Sequence, residues 1–220
     1  SESSVLQIVN NSIVNNNGMF SEISEGSLIM DSCLLQGNTG LGSTLILGSY
    51  AKIDVVNCTF DNNSATVTGY LVKLQETEFA RFDQTVFRDN NVTRGLISSD
   101  SSSLDLTNSQ FLQNYAQFAT SNGEITVSSL VVTNVTYTGF SDWTQTESVW
   151  DSITGDFLVS TSSAVSIENF TASYGRSAYG VLLFQGNLNV TISNSSFMHN
   201  HGIYCASVAS LGPSMNISSV

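Results

Sequence analysis

The chain is poor in proline, in positive charge and in long apolar runs. A single proline among 220 residues leaves little room for a flexible linker between domains. Six Lys and Arg side chains stand against 18 Asp and Glu, a net charge of −12. This balance argues against nucleic acid and against anionic membrane surfaces as partners. No run of 18 apolar residues occurs, so membrane insertion by a helix is not expected.

The chain does contain a repeat. A stretch in which apolar and polar residues alternate, followed by turn-forming residues, recurs about every 25 residues, for example at 6–10 and 190–194. Alternation with period two is typical of a half-buried strand, and a fixed period of this size indicates a solenoid. We take the second apolar residue of each copy as an anchor that marks one coil. The anchors are Ile8, Met30, Val55, Phe82, Leu106, Val127, Ile167, Ile192 and Ile217.

Each repeat contains two further apolar positions. Five residues past most anchors a second inward residue is expected, and an asparagine often follows three residues later. A third apolar patch, such as residues 44–47, closes the unit. Three short strands and three turns per unit predict an all-β fold, a single-stranded parallel β-helix of about nine coils over residues 1–220. The second inward residues are Ile13, Leu35, Phe60, Phe87, Phe111, Val132 and Phe197, and the asparagines are Asn16, Asn38, Asn63, Asn90, Asn114 and Asn200.

Two sets of stacked positions support this alignment. It places Arg81 between Asp54 and Asp105 in consecutive coils, and Arg88 beside Asp61, so opposite charges lie on neighbouring strands. The position two residues past the anchor is polar in most coils, which we interpret as an inward-facing polar ladder. Its members are Asn10, Ser32, Asn57, Gln84, Asn108, Asn169 and Asn194.

One coil is expected to carry an insertion, because 40 residues separate Val127 from Ile167. We place it at residues 137–156, where both tryptophans of the chain lie. Such insertions project sideways from a solenoid and often bind partners. The aromatic side chains either contact sugar rings or a neighbouring subunit, or pack on the flank of the β-helix itself. The candidate contact residues are Tyr137, Phe140, Trp143 and Trp150.

Nine Asn-x-Ser/Thr sequons occur in the chain. Those at Asn10, Asn57, Asn169 and Asn194 fall in the expected inward ladder, where a glycan does not fit. The others are expected to point outward and to carry N-linked glycans, which predicts an extracellular or cell-surface protein. No other cofactor is expected. The predicted acceptors are Asn62, Asn91, Asn134, Asn189 and Asn216.

Cysteine is scarce. Cys33 and Cys58 share one repeat position in adjacent coils, so their Cα atoms are expected near the distance that a disulfide requires. A stacked pair of buried thiols is the alternative, because small inward residues fill this position in other coils. Cys205 lies on another side without a partner, and no metal-ligand spacing is present.

The pattern Ile-x-Asn-Ser-x-Phe-x-x-Asn occurs at residues 192–200 and, with leucine first, at 106–114. It resembles the coils of pectin-lyase-like right-handed β-helices. It is similar in particular to the polymorphic-outer-membrane-protein-type repeats of bacterial surface proteins and of large protist surface proteins. The resemblance covers most of the chain and implies a β-helical fold at a cell surface.

The same superfamily includes polysaccharide lyases and hydrolases, which need clustered acids. The comparable cluster here is Asp31, Asp54, Asp83 and Asp105 around Arg81, which we interpret as a surface charge ladder. His199 and His201 are interpreted as a solvated pair and not as metal ligands. No catalytic residue is therefore predicted.

The chain begins and ends within the repeat pattern, so we expect it to be part of a longer polypeptide. The predicted function is that of a structural or adhesive extracellular β-helix glycoprotein, a segment of a surface protein or a filament subunit. Its expected partners are neighbouring copies or domains, and glycans. The alternatives are a polysaccharide lyase or hydrolase with its site at Arg81, and a carbohydrate-binding module that uses Trp143 and Trp150.

Overall fold

The computed structural model of the protein describes residues 4–40, 44–65, 69–92, 95–116, 124–138, 158–160, 164–177, 181–185, 189–202, 204–205, 207–211 and 214–218. Within these ranges every regular element is a β-strand, and all strand pairs are parallel. The strands stack coil upon coil as a parallel β-helix, which confirms the predicted fold class.

The first sheet contains 13 strands and forms two sides of the coil. Several of its strands run through a corner, so that one strand serves both sides. Its strands are Ser4–Val9, Ser21–Asp31, Ile46–Val56, Tyr70–Gln75, Phe79–Asp83, Gly95–Thr107, Glu124–Thr133, Leu158–Ser160, Ala164–Glu168, Leu182–Gln185, Asn189–Ser193, Val208–Leu211 and Ser214–Ser218.

Three smaller sheets complete the coils. The second sheet has eight strands: Ser12–Val14, Leu34–Gln36, Thr59–Asp61, Val86–Arg88, Gln110–Leu112, Thr136–Thr138, Thr171–Ser173 and Ser196–Met198. The third sheet has four: Thr39–Gly40, Ser64–Ala65, Asn91–Val92 and Tyr115–Ala116. The fourth sheet pairs Arg176–Ser177 with His201–Gly202. About six turns are therefore complete in the described part of the chain, fewer than the nine coils predicted.

The predicted anchors stack in one column with a single exception. Val127 lies opposite Ser102, and the residue opposite Leu106 is Val132. A β-bulge between Asp100 and Ser103 shifts the register of this strand pair. Apolar and polar residues also alternate around Val127, earlier in the same strand, so the sequence pattern there resembles that of an anchor. The anchor column is Ile8, Met30, Val55, Phe82, Leu106, Val132, Ile167, Ile192 and Ile217.

The core consists of such columns of apolar side chains. In the second sheet Phe60, Phe87 and Phe111 stack with ring centroids 4.7 and 5.0 Å apart and interplanar angles of 13° and 9°. These separations match the spacing between strands, so the rings stay in contact from coil to coil. Aromatic pairs of this kind contribute about 0.5–1.5 kcal/mol each beyond the burial of their area.

A ladder of asparagines lies beside this aromatic column, at the entrance to the third sheet, and is exposed at its first member and buried from Asn38 to Asn114. Asn16, Asn38, Asn63, Asn90 and Asn114 form it. The Oδ1 atom of Asn90 accepts the backbone N–H of Asn63 at 2.9 Å and its amide N–H at 3.1 Å. The Nδ2 atom of Asn90 donates to the carbonyl oxygen of Phe60 at 2.9 Å. The other members repeat this pattern, so each amide ties neighbouring coils together.

Left-handed backbone conformations turn the chain at three corners. All seventeen positive-φ non-glycine residues in the described ranges fall into three columns. The first corner contains Asn10, Ser32, Asn57, Gln84, Asn108, Asn134, Asn169 and Asn194. The second corner contains Asn15, Asn62, Asp89, Gln113, Tyr174 and His199, with Gly37 at the same position. The third corner contains Glu25, Tyr50 and Glu76.

The predicted inward ladder at the first corner is therefore wrong. Its side chains are exposed or half-buried, as in Asn57 and Ser32, and the inward ladder is formed by the later asparagines. Asparagine is frequent at the corner because it adopts the left-handed region more readily than most residues.

Candidate functional site

The sequon asparagines form the most extensive candidate site on the side of the rod. All nine are exposed, including the five predicted acceptors. The expectation that Asn10, Asn57, Asn169 and Asn194 point inward is wrong, because a left-handed corner turns each side chain away from the core. Five of the nine lie in the first corner, and Asn62 lies in the second.

The buried asparagines carry no sequon, for a structural reason. The residue two positions after a ladder asparagine faces the core, as Gly40, Ala65 and Val92 do, so serine and threonine are absent there. The residue two positions after a first-corner asparagine begins or lies in a second-sheet strand and faces outward, as Thr59 and Thr171 do. The fold therefore confines sequons to positions that solvent can reach.

Amide groups in the first corner also bond to each other. Asn134 donates from Nδ2 to Oδ1 of Asn108 at 2.9 Å, and Asn169 donates from Nδ2 to Oδ1 of Asn134 at 3.0 Å. Asn57 donates to the hydroxyl oxygen of Ser32 at 3.1 Å. An amide nitrogen carries two hydrogens, so attachment of a glycan to Nδ2 leaves one for this bond.

Cys33 and Cys58 are free thiols, both buried, in adjacent coils. The backbone N–H of Cys33 donates to Sγ of Cys58 at 3.3 Å, and the Cys58 thiol donates to the carbonyl oxygen of Val56 at 3.2 Å. Thr85 and Ser109 repeat this arrangement with hydroxyl groups further along the column. Burial raises the pKa of the Cys58 thiol to about 12. This arrangement is the stacked pair of thiols, and the disulfide stays a prediction for an oxidising compartment.

The charge cluster has the predicted register. Arg81 lies opposite Asp54 in one neighbouring coil and opposite Asp105 in the other. Its Nε and Nη2 atoms donate to the two carboxylate oxygens of Asp54 at 2.8 and 2.9 Å. Burial raises the pKa of Asp105, and the nearby Arg81 opposes this rise. The geometry is that of an ion pair on a half-exposed sheet face.

The remaining acids of the cluster lie in a different column. Asp83 accepts hydrogen bonds from Thr107 and Asn108 at 2.9 and 2.8 Å. Asp31 is separated from Asp83 by a whole coil, since Val56 lies opposite both. The four carboxylates thus do not converge on one point.

Residues 137 and 138, the predicted start of the insertion, belong to a strand of the coil. Tyr137 lies in the second-sheet strand Thr136–Thr138, opposite Phe111 and Ala172, and is 2% exposed. It is a core residue, so its assignment to the contact loop is wrong. The error follows from the misplaced anchor, because Tyr137 is the second inward residue of the coil that Val132 starts. Phe140, Trp143 and Trp150 lie outside the described residues.

One pair of neighbouring aromatic side chains was not predicted. The rings of Tyr174 and His199 stack at the second corner with centroids 5.3 Å apart and planes inclined by 19°. Tyr174 and His199 occupy the same repeat position in adjacent coils. An alignment of the coils therefore places them side by side once the second corner is recognised. In the described ranges no group of three or more His, Cys, Asp or Glu side chains is arranged to hold a metal ion.

Comparison of the chain with models of known families, with curated proteins and with solved structures gives no match. Its placement among parallel β-helices therefore rests on its own strand register and on the stacking of its columns. In the part of the chain that the structure describes, no helix is long and apolar enough to cross a membrane.

Proposed function

We propose that the chain is a structural or adhesive β-helix glycoprotein of the extracellular space, either a segment of a surface protein or a filament subunit. The observation that carries this proposal is that the asparagines of the chain form two sets, one exposed and one buried. Every sequon asparagine is exposed, whereas the ladder asparagines from Asn38 to Asn114 are buried and have no sequon. Exposed sequons along a rod fit a protein that passes through a secretory pathway.

The finer assignment also belongs to this proposal. The pattern at residues 192–200 and its stacked counterparts support membership of the pectin-lyase-like β-helices, in the manner of the polymorphic-outer-membrane-protein-type repeats. A long solenoid with regular sides offers repeated contact surfaces, which suits an adhesive or scaffolding role. Its partners would be neighbouring copies or domains of a surface assembly.

The test is mass spectrometry of intact glycopeptides from the native protein. We expect glycans on several of Asn62, Asn91, Asn134, Asn189 and Asn216, each removed by a peptide N-glycosidase with conversion of that asparagine to aspartate. The buried ladder residues Asn38 and Asn114, which are not next to a sequon, provide the internal control and should stay unmodified. Native protein with all nine sequons unmodified would contradict the proposal.

A further inference from the structure

Five of the nine sequon asparagines share the first corner, and three of these occur in successive coils. The three are Asn134, Asn169 and Asn194. The residues immediately before them are paired with each other across neighbouring strands, so the register is continuous through all three coils. Three potential glycan acceptors therefore lie in one column, and neighbours are one strand spacing, about 4.8 Å, apart.

The three side chains are oriented alike. Their φ angles are 54°, 52° and 49°, and all three are exposed. Nδ2 of Asn169, the atom to which a glycan attaches, lies 3.0 Å from Oδ1 of Asn134. A glycan on this nitrogen keeps the hydrogen bond, because the second amide hydrogen remains. One glycan is therefore compatible with the structure of the corner.

Two glycans on neighbouring coils are not compatible with it. An N-linked glycan is a bulky group, and a branched oligosaccharide is much wider than the spacing between two strands. The coils are held at this spacing by the amide bond of Asn169 to Asn134 and by the backbone bond of Asn169 to the carbonyl oxygen of Ser193 at 3.2 Å. Parallel side chains at this distance leave no room for a second glycan.

The other two sequons of the first corner are arranged differently. Ser32 lies between Asn10 and Asn57 in the column, and Asn57 donates to its hydroxyl oxygen at 3.1 Å. Asn10 and Asn57 are therefore two strand spacings apart, about 10 Å. A coil without an acceptor separates them, so each has room for a glycan.

We propose that the first corner carries N-linked glycans and that two neighbouring coils never carry them together. Asn10 and Asn57 are both acceptors. A glycan on Asn169 excludes glycans on Asn134 and Asn194, whereas Asn134 and Asn194 are occupied together. This inference rests on the proposed function, since it requires a protein that receives N-linked glycans, and it assigns the acceptors and the rule that relates them.

The experiment expresses the 220-residue chain through a secretory pathway and counts glycans by mass spectrometry of the intact, folded protein. Sequons are removed one at a time by changing their Ser or Thr to alanine. Thr171→Ala, for example, leaves the side chain of Asn169 and its hydrogen bond to Asn134 in place. Asn194→Gln removes an acceptor in a second way, because Gln84 occupies the same corner in another coil. Chains with a single sequon give the occupancy of each site alone.

Chains with two sequons show whether the two sites are occupied independently. The test pair is Asn169 and Asn194. We expect the fraction with two glycans to lie below the product of the two single occupancies by about tenfold or more, because the glycans would overlap.

Two control pairs should give a two-glycan fraction equal to that product. Asn10 and Asn57 share the column but are separated by a coil. Asn62 and Asn91 are a similar distance apart along the chain as the test pair and lie in adjacent coils, but Asn91 is opposite Ser64, so they belong to different columns.

Three outcomes would overturn the inference. The first is a two-glycan fraction for Asn169 and Asn194 that equals the product, and the second is an equal deficit for Asn62 and Asn91. The third is the absence of glycans from the first corner while Asn62 and Asn91 carry them, a result that leaves the proposed function intact. Absence of glycans from all nine sequons would instead contradict the proposed function itself.

Discussion

Arg88 donates two hydrogen bonds to Asp61, the residue opposite it in the preceding coil, from Nε to Oδ1 at 3.0 Å and from Nη2 to Oδ2 at 2.9 Å. Gln36, one coil earlier still, donates to Oδ2 of Asp61 at 2.8 Å. The Asp61 side chain is 8% exposed, whereas that of Arg88 is 50% exposed. The nearly buried Asp61 carboxylate therefore links three successive coils, because it accepts hydrogen bonds from Gln36 in the preceding coil and from Arg88 in the following coil.

This geometry predicts the pH dependence of stability. Hydrogen bonds from Arg88 hold the pKa of Asp61 below its ordinary value. A carboxyl with a lowered folded-state pKa stabilises the protein above its unfolded pKa of about 4, and this contribution is lost as pH falls through the folded value. We expect Arg88→Met to lower the urea midpoint clearly at pH 7 and much less near pH 3.

The exposed pair of Lys52 and Glu78, 3.2 Å apart, supplies the control for that measurement. Lys52→Met should change the urea midpoint little at either pH, because exposed ion pairs contribute little. Equal midpoint losses for Arg88→Met at pH 7 and pH 3 would show that the ion pair is not the cause.

The asparagine ladder predicts a large effect from a small change. Asn90→Ala removes the acceptor for two N–H groups of Asn63 and the donor to Phe60, all of them buried. We expect a loss of about 2–4 kcal/mol in the free energy of unfolding, measured with urea, because unsatisfied buried polar groups are costly. Asn108→Ala at the exposed first corner should cost about 1 kcal/mol or less. A smaller loss for Asn90→Ala than for Asn108→Ala would contradict the assigned roles.

The cysteines should react in a fixed order with a thiol reagent. Cys205 is half-buried, whereas Cys33 and Cys58 are buried and burial raises the pKa of Cys58 to about 12. Since the thiolate is the reactive form, native protein should label first at Cys205 and at the other two only upon unfolding. Mass spectrometry at timed intervals gives the order. Unfolded protein that labels at Cys33 and Cys58 only after reduction would establish the disulfide instead.

The corners predict which substitutions raise stability. Gln84 has a φ of 50° at the first corner and an exposed side chain. We expect Gln84→Asn to raise the free energy of unfolding by up to about 1 kcal/mol and Gln84→Val to lower it by about 1–2 kcal/mol, since β-branched residues tolerate this region poorly. Thermal melts of both variants against the wild type test the sign. A stabilised valine variant would argue against the left-handed corner.

Much of the fold was predictable because a solenoid repeats its constraints. The charges of Asp54, Arg81 and Asp105 indicate the register from the sequence alone, and the structure places Arg81 opposite both acids. The sixth coil was predicted at Val127 because apolar alternation looks the same on either side of a β-bulge. Alternation alone does not distinguish two successive sides of one coil.

The two asparagine positions were harder to separate. Asn57 is exposed at a corner and Asn63 is buried in the ladder, yet both are asparagines in turns. Asn57 is favoured because asparagine tolerates a positive φ. Asn63 is favoured because its amide accepts the backbone N–H of Asn38 and donates to the carbonyl oxygen of Leu35 in the preceding coil. The residue two positions later distinguishes them, because Thr59 follows Asn57 and Ala65 follows Asn63. The stacking of Tyr174 on His199 is likewise not predicted from the sequence unless the second corner is recognised.

The asparagine ladder also limits how such a rod changes in length. Each ladder amide bonds to its equivalent in the adjacent coil, so an entire turn that is duplicated or deleted leaves every ladder amide at the junction with a counterpart of its own kind. Loss of half a turn would bring an asparagine against a phenylalanine and leave its amide buried without a partner. We therefore expect such a β-helix to gain or lose whole turns during evolution, and not fractions of a turn.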